Sequence, residues 1–155
     1  MQPNPRIHGL GVVALTAVFA ASGFRAVSAD ADARVNYMLN CQGCHLADGS
    51  GAPGRVPNLK GLVGYFLRVP GGREFLVRVP GVAGSSLSDG ELAGVMNWML
   101  LNFSREQLPE NFIPYTAEEI GLLRKQILAD AAAIRRELIE EIEGVAGFRD
   151  APVAP

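Results

Sequence analysis

Cys41-Gln42-Gly43-Cys44-His45 holds both cysteines of the chain, spaced C-x-x-C, with a histidine directly behind the second. Three chemistries compete for that spacing. A thioredoxin-like redox pair needs a strand before it and a βαβ setting, whereas the residues before Cys41 read as a helix. A zinc site needs about four ligands. The chain offers two Cys and two His, and His8 lies in a segment expected to be removed. The third chemistry is covalent attachment of a c-type haem. Two thiols at this spacing reach two vinyl groups of one porphyrin as thioethers, and His45 follows where an imidazole is needed under the iron. A disulfide or incidental cysteines are the bland alternatives.

Residues 1–29 read as a secretory signal peptide. Arg6 supplies a positive start, Leu10 to Ala21 is apolar, and Val27-Ser28-Ala29 offers small residues for cleavage before Asp30. The apolar run is shorter than the roughly 20 residues of a spanning helix. An uncleaved anchor is the alternative, and no other stretch is long and apolar enough to span a membrane. Export agrees with the haem motif, because c-type haem is attached outside the cytoplasm. A bacterial periplasm is the natural compartment.

The chain has 14 Lys and Arg against 16 Asp and Glu, and losing Arg6 and Arg25 with the leader takes the formal charge from −2 to −4. A nucleic-acid partner wants a basic surface, so that class is excluded. No stable membrane span is expected after processing. Residues 30–155 suffice for one small domain with an appendage.

Along the mature chain, Asp32 to Asn40 reads as a short helix with Val35, Met38 and Leu39 on one apolar face. Residues 46–58 carry three glycines and two prolines and read as a loop. Leu59 to Leu67 reads as a weak helix, and Arg73 to Val79 is ambiguous. Ser88 and Glu91 form a capping box that opens a helix to about Phe103, with Leu92, Val95, Met96, Met99 and Leu100 on its apolar face. Thr116 and Glu119 form a second box, and the pattern predicts one long helix behind it to about Glu143. Ile120, Leu123, Ile127, Ala131, Ile134, Leu138 and Ile142 would be its apolar stripe. Arg149 to Pro155 reads as a frayed tail. Strand signals are weak throughout, so the fold expected is all-α. The expected layout is a leader over 1–29, a haem domain over 30–104, and a connector, amphipathic helix and tail over 105–155.

The order helix, C-x-x-C-H, Gly/Pro loop, short helices and Ser88-Asp89-Gly90-Glu91-Leu92 helix resembles the class I mono-haem c-type cytochromes, over about residues 31–103. The resemblance implies helices around one covalent haem c, held by Cys41, Cys44 and His45. It implies that the first and last helices cross, with Trp98 packed at the crossing. It implies that the Pro57 carbonyl accepts the Nδ1–H of His45, a bond that fixes the ring, and that Leu59 packs on the haem. The sixth ligand departs from the family pattern. Val79 stands where Met is expected, and valine cannot bind iron. Met38, Met96, Met99, Lys60, Lys125 or water remain open, with Met99 the preferred thioether. Arg68, Arg73, Arg78 and Tyr65 are candidates for the haem propionates.

Three functions follow. The first is an electron carrier, not an enzyme, serving a periplasmic redox protein or dehydrogenase and the respiratory chain. The second is a haem-based sensor or ligand-binding protein with an open or weakly held sixth position. The third makes the helix over 116–143 a partner-docking module, although packing on its own domain is the simpler fate for an apolar stripe.

Overall fold

Helix α5, Asp89–Phe103, opens with the expected reciprocal cap. The Ser88 Oγ accepts from the Glu91 backbone N–H at 3.3 Å, and the Glu91 carboxylate accepts from the Ser88 N–H at 2.9 Å. Its expected apolar face is buried: Leu92, Val95, Met96, Met99 and Leu100 are all in the core, together with Ala93. The computed structural model describes residues 24–145 and Phe148, with side chains from Asp30 onward. Most of the expected leader, and the tail from Arg149, lie outside the described residues. Among the described residues no helix is long and apolar enough to cross a membrane.

Helix α1, Phe24–Asn40, packs on α5. The face it buries is not the expected one. Val35, Met38 and Leu39 are half or more exposed, while Ala33 and Tyr37 are buried at i, i+4 spacing. Close approach to α5 explains the choice. A Cβ added to Gly94 would sit 3.9 Å from the Ala33 methyl, so small residues meet where the helices pass. Helix α2, Gln42–His45, is one turn. The weak helix expected over 59–67 is a 3-10 helix at Val63–Arg68. The ambiguous segment folds as α3, Gly72–Arg78, followed by α4, Pro80–Ala83. Among the described residues the extended pairing is limited to an isolated bridge between Ala52 and Val56, so the all-α expectation stands.

The single long C-terminal helix is not formed. The chain makes α6, Ala117–Leu123, then leaves the helix over 124–130, then makes α7, Ala131–Glu143. Tertiary partners take the backbone groups that a continuous helix would have used. The Leu128 N–H donates to the Arg78 carbonyl at 3.0 Å, and the Arg78 Nε donates to the Gln126 carbonyl at 2.8 Å. Asp130 then caps α7, its Oδ1 accepting from the Ala133 N–H at 2.8 Å. The expected box at Thr116 is half made. Thr116 Oγ1 accepts from the Glu119 N–H, but the Glu119 carboxylate is engaged by Arg73 at 2.6 and 2.7 Å.

The twin sequences Leu67-Arg68-Val69-Pro70-Gly71 and Val77-Arg78-Val79-Pro80-Gly81 do the same job twice. Each arginine ends a helix and reaches the C-terminal segment. Arg68 donates from Nε to the Gln107 carbonyl and from Nη2 to that of Leu108, at 2.7 and 3.0 Å. Arg73 also bonds the Ile113 carbonyl and lies 4.0 Å from the Tyr115 ring centre. The three arginines that are candidates for the propionates therefore fasten residues 105–130 to the rest of the chain. Tyr65 is buried, with its ring against Phe148. Tyr115, Ile120, Leu128, Leu138, Ile139 and Ile142 join the same core cluster as α5.

Candidate cofactor-attachment site

Tyr37 builds the site from behind. Its carbonyl accepts from the Cys41 N–H at 2.8 Å, carrying α1 into the attachment turn. Its hydroxyl donates to the Leu46 carbonyl at 2.7 Å and lies 3.3 Å from that of His45. That grip holds Leu46 in the left-handed region, at φ 54°. For a non-glycine residue this costs on the order of 1–3 kcal/mol and persists only when neighbours over-determine it. Tyr37 also meets Trp98 and Phe103 at ring separations of 5.3 and 5.2 Å, and those two meet each other at 5.3 Å. Trp98 thus lies at the crossing of α1 and α5, as the resemblance implied. Tyr37 was missed in the sequence. An aromatic one helical turn before Cys41 was the available signal.

Cys41 and Cys44 sit at the α2 turn, Cys41 half-buried and Cys44 exposed. Burial pushes the Cys41 thiol up, and the nearby Cys44 adds to the shift. An attacking cysteine of a redox pair needs the opposite shift, and a helix rather than a strand precedes the pair. The disulfide-exchange reading therefore loses its support. Among the described residues no three His, Cys, Asp or Glu side chains gather to hold a metal by themselves.

His45 completes the turn. Its Nδ1 lies 3.2 Å from the Pro57 carbonyl oxygen. A carbonyl only accepts, so the proton sits on Nδ1 and the Nε2 lone pair is left to bind a metal. Burial lowers the imidazole's affinity for a second proton, outweighing the opposite pull of the Pro57 carbonyl. The shift favours the neutral form, the one that binds a metal.

The Pro57 carbonyl is aimed by a closed loop. The Leu59 N–H donates to the Gly49 carbonyl and the Gly61 N–H to that of Phe103, each at 2.8 Å. Gly51 is required inside it. A Cβ there would collide with the Val56 carbonyl and would sit 2.6 Å from that of Pro57. Leu59 is half-buried against the core.

These residues fit a covalent haem: two free thiols on one turn, and behind them a neutral imidazole oriented through Nδ1. Met99 is 7% and Met96 2% exposed, both within the core cluster, while Met38 is 50% exposed on α1. Val79 packs against the core between α3 and α4.

No family model matches the chain. Two similar proteins, both from Thermus thermophilus, are named cytochrome c-552. One is 34% identical over 126 residues, spanning 66% of this chain and 84% of the relative. The other is 34% identical over 114 residues, spanning 58% of this chain and 87% of the relative.

Proposed function

This chain belongs to the c-type cytochromes, and from that we propose an exported carrier that takes electrons from a periplasmic dehydrogenase and passes them toward the respiratory chain. It is an electron-transfer protein whose cofactor is one covalently bound haem c. When bound, that group supplies a one-electron couple at iron, tuned by axial ligation, hydrogen bonding and burial. The chain's own residues do the rest. Cys41 and Cys44 would hold the group by thioethers, and His45 would offer Nε2 to the metal. The Pro57 carbonyl holds the ring's other nitrogen and raises its basicity. Leu59 and Trp98, both packed on the core, would lie against the haem, and Met99 is the proposed sixth ligand.

The observation that supports this reading most is the 3.2 Å contact of His45 Nδ1 with Pro57, on the turn that presents both thiols. Spectroelectrochemistry of the purified mature protein tests it. One reversible one-electron wave is expected, from protein recovered in the periplasmic fraction and beginning at or near Asp30. Absence of a reversible wave would contradict the carrier role, and recovery with the membranes would contradict processing.

Val79 at the position expected for Met favours a second reading, in which the sixth position is open and binds a small ligand. A high-spin ferric spectrum that carbon monoxide converts on reduction would favour it over the carrier.

A further inference from the structure

We propose that Arg124 is a positioning residue of the haem crevice, holding the turn over 83–89 shut beside the attachment site; this rests on Cys41, Cys44 and His45 being that site. Arg124 ends α6, and its side chain is 16% exposed. Among the described residues, its guanidinium bonds to one turn, the link between α4 and α5. Nε donates to the Ala83 carbonyl at 3.2 Å, and Nη1 to the Leu87 carbonyl at 2.8 Å and to Asp89 Oδ1 at 3.0 Å. Nη2 donates to the Ser85 carbonyl, with the Ser85 hydroxyl 3.5 Å away.

A turn that is half-buried and lacks helical pairing leaves carbonyls to be satisfied. A planar fork of five donors satisfies several at once, which a lysine's point charge cannot do. The other side of the turn meets the end of α1 that leads into Cys41. Ser86 Oγ lies 3.5 Å from Asn40 Oδ1, and Asn40 is the residue before Cys41. Asn40 is itself tied back to the Asn36 carbonyl at 2.9 Å. The turn is thus gripped by Arg124 from behind and laid along the end of α1 in front. Helix α6 is pressed in to make this reach. A Cβ on Gly121 would sit 2.5 Å from Asp89 Oδ2. The fork therefore keeps one wall of the crevice closed to solvent and to small ligands that seek the iron.

Imidazole binding to the ferric full-length holoprotein tests this, comparing wild type, Arg124→Lys and Arg124→Ala by stopped-flow. Each is measured below its own melting midpoint, with covalent haem verified by pyridine haemochrome. Association is expected to accelerate about tenfold or more in Arg124→Ala, the scale of losing a charge-assisted hydrogen bond that favours the closed turn. Arg124→Lys, which keeps the charge but not the fork, should accelerate nearly as much. If Arg124→Ala does not fold, the lysine variant decides alone. A lysine variant that binds imidazole at the wild-type rate overturns the proposal. Wild type without covalent haem would instead overturn the proposed function, so the two failures are distinguishable.

Discussion

His45 and Tyr37 show how single side chains set the site. The histidine is oriented by a carbonyl twelve residues on, and the tyrosine holds the backbone on which the histidine sits. Burial pushes the Tyr37 hydroxyl up to about 12, with Cys41 and Asp48 adding to the shift. An unfolded tyrosine releases its proton near pH 10, so the unfolded state gains first as pH rises. Stability from this group is therefore whole below pH 10 and falls between pH 10 and 12. Thermal melts over that range should show wild type losing stability more steeply than Tyr37→Phe. Met99 is the other residue with a sharp test. Met99→Leu conserves volume and should cost under about 1.5 kcal/mol in urea unfolding. With Met99 as sixth ligand, it should also lower the potential and remove the sulfur-to-iron band at the red edge of the visible. An unchanged spectrum would strike Met99 from the ligands. The contact of His45 with the Pro57 carbonyl was legible because each sits in a short pattern with its own chemistry. Arg68, Arg73, Arg78 and Arg124 were not, because their partners are largely backbone carbonyls some 40 residues away, which no sequence pattern records.

At the scale of elements, local signals held where the chain decides locally. The Ser88 box and the apolar face of α5 are in place, since cap and periodicity lie within one helix. Periodicity failed for α1 because two faces were apolar and only contact with α5 chose between them. It failed for 116–143 because the stripe persists through a break made by tertiary bonds to Arg78 and by the Asp130 cap. The loop over 46–62 offers a test of how tightly it aims Pro57. Gly51→Ala puts a methyl into the Val56 and Pro57 carbonyls and should cost about 1–3 kcal/mol, the usual scale of overpacking. It should also lower the yield of covalent haem. Gly90→Ala is the control, because nothing lies within 4 Å of an added Cβ there and it is far along the chain from the attachment turn. Equal unfolding midpoints for the two variants would show that the loop yields.

For the whole molecule, the C-terminal segment is not an overhanging arm. A straight stripe of about 33 Å, the length of 22 helical rises of 1.5 Å, would outreach a small domain and need a partner. The break between α6 and α7 folds that stripe back, and Ile120 and Ile142 are fully buried in the shared core. Truncation after Pro114 should therefore unfold the protein rather than release an intact haem domain. Losing a single large buried aliphatic side chain already costs about 2–5 kcal/mol, and the truncation removes several. Circular dichroism of the truncated chain should show loss of α1 and α5 as well; retained helix with a native haem spectrum would restore the arm as a separate module. Behind all of this stands covalent haem at one turn. Intact mass of the mature protein, made in a host that matures c-type cytochromes and then denatured in acid, measures it most directly. The expected result is one haem added to the chain, and none in the Cys41→Ser, Cys44→Ser double variant. A bare chain mass with a Cys41–Cys44 disulfide would contradict it.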